Sequence, residues 1–121
     1  MADKTVVKSI QKYLREVEKH GIPVRYGVLF GSYARGQQHE WSDIDLLVVS
    51  PRYDKKWTHK DWAKLWLIAA DTDVRIEPIP VGEKQFKTTK DSMIIEIARR
   101  EGQIISLAKQ ESYGTYPFTS S

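Results

Sequence analysis

Two short stretches of this sequence decide its fold: GSYARG at residues 31–36 and SDIDLLVV at residues 42–49. The first follows an apolar run that ends at Phe30, so a strand is expected to turn at Gly31 into a short helix. We expect Ser32 to be the N-cap of that helix, because its hydroxyl oxygen can accept from a free backbone N–H group. Such N–H groups and the positive end of the helix dipole would form a phosphate site.

The second stretch predicts a strand that carries two carboxylates on one face. Because side chains alternate along a strand, Asp43 and Asp45 point to the same side and Ile44 to the other. The rise of ~3.3 Å per residue places the two carboxylates roughly 7 Å apart. That spacing suits a hard divalent cation that also contacts phosphate oxygens. The continuous apolar run over residues 46–49 predicts burial on both faces of the strand.

A Gly-Ser turn and an Asp-x-Asp pair are each common, but their combination in this order is much rarer. With ten residues between them, they resemble the signature of the DNA-polymerase-β-like nucleotidyltransferase superfamily. The fuller pattern Gly-Ser-Tyr-Ala-Arg-Gly followed by Ser-Asp-Ile-Asp-Leu is similar to the minimal nucleotidyltransferases of bacteria and archaea. The resemblance covers roughly residues 22–107.

The resemblance implies roles for the residues of both motifs. Gly31 and Ser32 would hold the β- and γ-phosphates of ATP or another nucleoside triphosphate. Asp43 and Asp45 would bind Mg²⁺, or Mn²⁺ in its place. Arg35 could reach a phosphate or the substrate, although it could equally be a surface arginine. The implied reaction is in-line attack on the α-phosphate with pyrophosphate leaving, which asks mainly for positioning and charge neutralisation.

A third carboxylate usually completes such a site, and the family supplies it on the next strand, often before a proline. Glu77 matches that position and would be a metal ligand that helps to activate the acceptor hydroxyl. The family's usual residue is aspartate, so Glu77 is a departure that leaves catalytic competence open. Asp73 is the competing candidate, because residues 73, 75 and 77 share a strand face. If the third strand runs antiparallel to the second, Glu77 lies beside the pair, and we therefore favour Glu77.

The remaining pattern predicts an α/β fold, a small mixed sheet with helices packed on it in the order α-β-α-β-α-β-α, the polymerase-β-like arrangement. We expect one nucleotidyltransferase domain over residues 1–108 and a flexible tail over 109–121. Pro78 and Pro80 are expected to close the third strand. The predicted elements are a helix over 4–20, a strand over 24–30, the short helix, a strand over 43–49, a helix over 58–70, a strand over 74–77, a helix over 89–101 and a short edge strand over 103–107.

The composition is that of an ordinary globular protein, with 40% hydrophobic and 29% charged residues in a chain of 121. Because the chain has no cysteine, it contains neither disulfides nor thiolate metal sites, which suits a reducing cytoplasm. Its first residues carry no apolar signal segment, and no run approaches the ~20 apolar residues of a membrane span. We therefore expect a cytoplasmic protein without membrane association.

The net charge of +3 makes the protein mildly basic, which by itself does not indicate a nucleic-acid partner. A nucleic-acid surface is one interpretation of the region where lysines and tryptophans interleave, but a helix with a buried aromatic stripe and a solvated lysine face is favoured. Direct nucleic-acid binding is accordingly not expected, and the tryptophans should lie in the core or in a partner-facing patch. The residues concerned are Lys55, Lys56, His59, Lys60, Lys64, Trp57, Trp62 and Trp66.

The resemblance also implies a partner. Larger relatives carry a second, usually helical domain that shapes the acceptor site, and this chain has no length for one. Minimal members are commonly paired with a helical HEPN protein, often a toxin, and some act as antitoxins by transferring AMP to a tyrosine of that partner. We therefore expect metal-dependent transfer of NMP to a hydroxyl of a HEPN partner, in a homo- or hetero-oligomer. Two alternatives stay open: steric neutralisation by an inert or weak site, and transfer to a small molecule.

Overall fold

The computed structural model describes residues 4–36, 42–90 and 92–107 of the chain. The described elements are the helices α1 (Lys4–Lys19), α2 (Ser32–Arg35), α3 (His59–Thr72), α4 (Glu83–Thr88) and α5 (Met93–Glu101), the strands β1 (Tyr26–Phe30), β2 (Ile44–Ser50), β3 (Ile76–Gly82) and β4 (Gln103–Ser106), and a 3-10 turn at Pro51–Asp54. The predicted α/β class and the predicted order of its main elements are confirmed. The expected tail over 109–121 lies outside the described residues.

The four strands form one mixed sheet in the order β3-β2-β1-β4. β1 pairs antiparallel with both β2 and β4, whereas β2 and β3 run parallel. A parallel pair needs a crossover connection, and α3 supplies it. As a result, the end of β1 and the beginnings of β2 and β3 meet at one end of the sheet, which we call the carboxylate edge.

The sheet is covered on both faces, as the apolar run of β2 predicts. On one face α1 and α3 pack against the strands, and the Tyr13 hydroxyl of α1 donates to the Leu65 carbonyl of α3 at 3.0 Å. On the other face Phe86 of α4 and Ile95 of α5 close a second apolar cluster. All four residues of β2 from Leu46 to Val49 are fully buried. β2 is therefore a central strand with both faces covered, and it fixes the carboxylates that precede and enter it.

The prediction that prolines close the third strand is wrong. Pro78 and Pro80 lie within β3, which continues to Gly82. β3 is the last strand of the sheet order, and prolines are tolerated on an edge strand because no further strand needs their missing N–H groups. The antiparallel arrangement considered for this strand is also wrong, since β3 runs parallel to β2.

The segment after β3 contains a helix that the sequence pattern did not reveal. α4 begins directly at Glu83, and the two carboxylate oxygens of Asp54 accept from the backbone N–H groups of Lys84 and Gln85. These bonds satisfy donors at the start of a six-residue helix that has little apolar periodicity of its own. The following helix, α5, begins at Met93 with Ser92 as its N-cap rather than at residue 89. The cap that defines α4 comes from a distant residue, so local spacing could not predict it.

The expected buried aromatic stripe on α3 is also wrong. α3 packs on the sheet through Leu65, Ile68 and Ala69. The indole side chains that the pattern assigned to the core remain exposed, at 37% for Trp57, 41% for Trp62 and 37% for Trp66. The partner-facing alternative therefore remains for these residues. Within the ranges described above, no helix combines the length and the apolar character that crossing a membrane requires.

Candidate active site

The strand register brings the predicted acidic residues together at the edge where β1 ends. Asp45 in β2 lies opposite Phe30 of β1 on one side and opposite Glu77 of β3 on the other. Gly31 and Ser32 follow Phe30 directly, so the Gly-Ser turn and the carboxylates share one end of the sheet. Glu77 arrives there through parallel pairing with Asp45, not through the antiparallel pairing considered from the sequence.

The carboxylates of this cluster are close enough to perturb one another. Burial of Glu77 and, after it, the interactions of its carboxyl group with Asp43 and Asp45 raise the pKa of Glu77 above its ordinary value. Ile44, between the two aspartates, is fully buried, as the strand alternation predicts. The site therefore concentrates negative charge that a cation would offset.

Gly31 lets the backbone approach this charge closely. Its dihedral angles, φ 79° and ψ −151°, belong to a region that is essentially reserved for glycine. A Cβ atom at this position would collide with the carboxylate of Asp45. The chain therefore passes directly over Asp45 where β1 turns into α2.

The expected cap by Ser32 is wrong in its detail. Gly31 occupies the N-cap position, Ser32 is the first residue of α2, and no side chain caps this helix. Gly31 cannot cap through a side chain because it has none, and Ser32 is half-buried at the start of the turn. The predicted contact of Ser32 with a phosphate stays a prediction. Arg35 ends α2 and its side chain lies outside the described residues, so its predicted role stays a prediction as well.

Arg75 forms a network that sequence analysis missed. Its guanidinium donates from Nε and one Nη to the two carboxylate oxygens of Asp73, at 3.0 and 2.7 Å, and from the other Nη to the Tyr33 hydroxyl at 3.2 Å. Its backbone carbonyl accepts from the N–H of Ile44 at 2.8 Å. Arg75 thereby ties α2 to the beginnings of β2 and β3. The Asp-x-Arg spacing is a visible signal for the ion pair, but only the folded chain brings Tyr33 to it.

The same network separates Asp73 from the carboxylate cluster. Asp73 is the C-cap residue of α3 and is not part of β3. Hydrogen bonds from Arg75 lower its pKa, with a further contribution from the Ser9 side chain of α1. Asp73 is therefore already paired with a cation, whereas Glu77 faces two like charges. The geometry favours Glu77 over Asp73 as the third acidic residue of the site.

The donor set suits a hard divalent cation such as Mg²⁺, because all three candidate ligands are carboxylates. Among residues 4–36, 42–90 and 92–107, no three acidic or histidine side chains are already arranged as a ligand cage. A bound cation would offset the negative charges of Asp43 and Asp45 that contribute to the raised pKa of Glu77.

A mixed sheet of this order, with a glycine turn over an Asp-x-Asp strand and a third acidic residue on the parallel neighbour, defines the class of nucleotidyltransferase-fold proteins. The nucleotidyltransferase domain family model matches residues 8–109. Because that match spans most of the chain, this protein belongs to the nucleotidyltransferase domain family.

Two presumed protein adenylyltransferases of Methanocaldococcus jannaschii are similar in sequence. MJ1305 is 37% identical over 57 residues, which are 46% of this chain and 39% of that protein. MJ1215 is 37% identical over 59 residues, which are 46% of this chain and 69% of that protein. The matched part is thus well under half of the longer relative.

Solved structures share the fold. A toxin–antitoxin structure with AMP-PNP has a TM-score of 0.57 at 23% identity and covers 86% of this chain and 75% of that one. A presumed nucleotidyltransferase from Sulfolobus solfataricus has a TM-score of 0.54 at 25% identity, over 70% and 74% of the two chains. A mutant of the MntA–HpeT toxin–antitoxin has a TM-score of 0.54 at 21% identity, over 86% and 75%. These likenesses confirm the predicted α/β nucleotidyltransferase fold.

Proposed function

We propose that this chain is a metal-dependent nucleotidyltransferase that moves AMP from ATP to a hydroxyl group of a partner protein. One observation carries the proposal: the Gly31 turn lies against Asp45, while Glu77 lies opposite Asp45 on the parallel neighbouring strand and Asp43 is close enough to act on its carboxyl group. The carboxylate edge therefore contains a backbone turn that suits a phosphate and three carboxylates that suit a cation. Supporting this, similar proteins are named as protein adenylyltransferases, and one similar structure contains the ATP analogue AMP-PNP.

The chain's own residues would bind and orient the reactants. Backbone N–H groups at Gly31 and Ser32 would hold the terminal phosphates, since this turn lets the triphosphate approach the backbone. Asp43, Asp45 and Glu77 would hold Mg²⁺, which when bound neutralises phosphate charge and increases the acidity of a nearby hydroxyl. Glu77 would accept the acceptor hydroxyl's proton, directly or through water. The acceptor oxygen then bonds to the α-phosphorus in line with the breaking bond to the pyrophosphate leaving group.

The proposed acceptor is a helical HEPN protein, with this chain as the antitoxin of the pair in the cytoplasm. Two of the similar structures are toxin–antitoxins, which supports a toxin as the partner. The described part of the chain consists of the transferase sheet and its covering helices. In this proposal the acceptor hydroxyl is a tyrosine of the docked partner, presented at the carboxylate edge.

The experiment combines this chain with a candidate helical HEPN protein, ATP and Mg²⁺, and follows the mass of that protein. We expect the addition of one or more AMP units, and none in EDTA. Glu77→Gln should abolish transfer but preserve the complex, because it removes the base with little change in shape. Asp73→Asn is the matched control and should retain transfer, since Asp73 pairs with Arg75 outside the cluster. If Glu77→Gln neutralises the toxin as well as wild type and no adduct forms, the function is steric binding and the transferase proposal fails.

A further inference from the structure

A contiguous apolar surface lies on the outer side of α3, away from the sheet. Trp62, Ala63, Trp66 and Leu67 line a shallow cavity of about 470 Å³ there, which we call the α3 groove. The rings of Trp62 and Trp66 meet edge to face with centroids 5.9 Å apart, and Leu67 is 70% exposed. Large apolar side chains gathered in one exposed patch mark an interaction surface more often than scattered ones do.

The shape of the α3 groove suits a helix. Two pairs of residues at a spacing of four, Trp62–Trp66 and Ala63–Leu67, form adjacent rows along α3, and Ala63 is the small residue among them. Rows at this spacing form the ridges and grooves through which helices pack. Tryptophan is also the residue that most often dominates the free energy of protein–protein association. An amphipathic helix with an apolar stripe is therefore the natural occupant.

The exposed charges around the α3 groove are mostly those of lysines, with one exposed carboxylate, Asp71, a helical turn after Leu67. Lys55, Lys56 and Lys60 are exposed, and they form no ion pair within the described part of the chain. Lys64, also exposed, donates to the backbone carbonyl of His20. The nearby carboxylate of Asp61 is paired with Arg52 at 3.1 Å. A partner that places acidic residues around its apolar stripe would complement this rim.

This charge decides between possible occupants. In a twofold dimer of this chain the antiparallel α3 helices would set the lysines of one copy against only Asp71 of the other, which offsets less positive charge than a partner rich in acidic residues would. A nucleic acid would match the charge, but the rings of the Trp62–Trp66 pair lie at 73° to each other and form no parallel stacking platform. We propose that the α3 groove docks an amphipathic helix of a partner protein, with its apolar stripe on Trp62, Trp66 and Leu67 and acidic residues against the lysine rim.

Helix α3 runs from the docking surface towards the end of the sheet that carries the candidate active site. From Leu67 to Asp73 the chain advances six residues along α3, about 9 Å at the helical rise per residue, and Asp73 pairs with Arg75 beside the carboxylate edge. A docked helical protein could therefore present a neighbouring hydroxyl to that edge. That the docked partner is also the acceptor rests on the proposed function, whereas the docking itself does not.

A designed peptide tests the docking because the proposal concerns chemistry and not one sequence. The probe is a tryptophan-free helical peptide of about 20 residues with leucines along one stripe and glutamates on both flanks. The control peptide has lysines in place of the glutamates. Binding is followed by tryptophan fluorescence and calorimetry in EDTA without nucleotide. We expect the acidic peptide to bind at least tenfold more tightly than the basic one, with an affinity that falls as salt is added.

Matched variants locate the binding. Leu67→Glu should weaken the acidic peptide at least tenfold, whereas Met93→Glu, the same change at a 77% exposed residue of α5, should not. Asp45→Asn should bind the peptide like wild type, so loss of the nucleotide site and loss of docking are separable. Equal binding of both peptides, or no effect of Leu67→Glu, overturns the proposal. Self-association that Leu67→Glu abolishes, or oligouridylate binding that Trp66→Ala abolishes, also overturns it in favour of a second copy or RNA.

Discussion

Replacing Gly31 by alanine tests the central feature of the site, the close passage of the backbone over Asp45. The substitution adds one methyl group. At φ 79° and ψ −151° that methyl strains the backbone, and it also collides with the Asp45 carboxylate. We expect Gly31→Ala to lower the free energy of unfolding and to displace the carboxylate that the proposed function assigns to the metal.

The magnitude follows from two terms. Holding a residue other than glycine in this region of φ and ψ costs about 1–3 kcal/mol. Moving the Asp45 side chain away from its preferred rotamer costs about 0.5–1.5 kcal/mol more. Together they predict a loss of about 1.5–4.5 kcal/mol, slightly reduced because alanine also restricts the unfolded chain.

Gly36→Ala is the matched control. Gly36 also has a positive φ, at 71°, but the space around its Cβ position is open. The control therefore includes a left-handed backbone cost of about 1–2 kcal/mol without any collision. Urea unfolding followed by tryptophan fluorescence measures both variants, and calorimetry measures their binding of ATP with Mg²⁺. Combining Gly31→Ala with Asp45→Ala should recover the collision term, as a double-mutant cycle would show.

The reasoning is refuted if Gly31→Ala is as stable as Gly36→Ala and binds metal–ATP like wild type. That result would mean that the turn tolerates a side chain, and neither the backbone geometry nor the approach to Asp45 would matter. Loss of stability without any change in ATP binding would retain the structural account of the turn but remove its assignment to phosphate.

Further predictions concern the metal, the pH and the arginine network. ATP binding should need a divalent cation, and equal ATP affinity in EDTA would contradict this. Asp43→Asn or Asp45→Asn should abolish the metal-assisted binding of ATP. Both variants should leave the fold intact, because removing one carboxylate relieves the repulsion between neighbouring negative charges. The pKa of Glu77 is raised, so its contribution to stability is complete below its ordinary value of 4.5 and is lost as the pH rises through the raised value. Without metal, Glu77→Gln should therefore melt at a higher temperature than wild type at pH 8, and the difference should shrink towards pH 4; an equal difference at both pH values would refute the cause. Tyr33→Phe should cost about 1 kcal/mol of stability and Arg75→Met about 1–3 kcal/mol, since the latter also leaves a carboxylate unpaired, and both should weaken ATP binding in calorimetry if α2 positions the phosphates.

The segment after β2 shows why parts of the fold escaped sequence analysis. Helix α4 has six residues, and its first donors are satisfied by Asp54, about thirty residues earlier in the chain. Pro78 and Pro80 normally end a strand, but they are accommodated because β3 pairs only on its β2 side. The tryptophans of α3 have the sequence spacing of core residues, but α3 packs on the sheet only through Leu65, Ile68 and Ala69. In each case a distant partner overrides the local preference.

The sequence alone determined the elements that carry chemistry. Alternation at the start of β2 places Asp43 and Asp45 on the face opposite Ile44, and a glycine is needed at residue 31, where β1 turns into α2 over Asp45. These are properties of neighbouring residues, so spacing is sufficient to predict them. The family assignment rests on the same two motifs, and the family match over residues 8–109 agrees with it.

Tertiary structure decided how the third acidic residue joins the other two. Both Asp73 and Glu77 fit the spacing, and only the parallel register of β2 with β3 sets Glu77 opposite Asp45. Arg75 donates to both carboxylate oxygens of Asp73, so Asp73 is paired with a cation and does not join the carboxylate cluster. Strand direction depends on the crossover helix and the packing of the whole sheet, which spacing within a single strand does not encode.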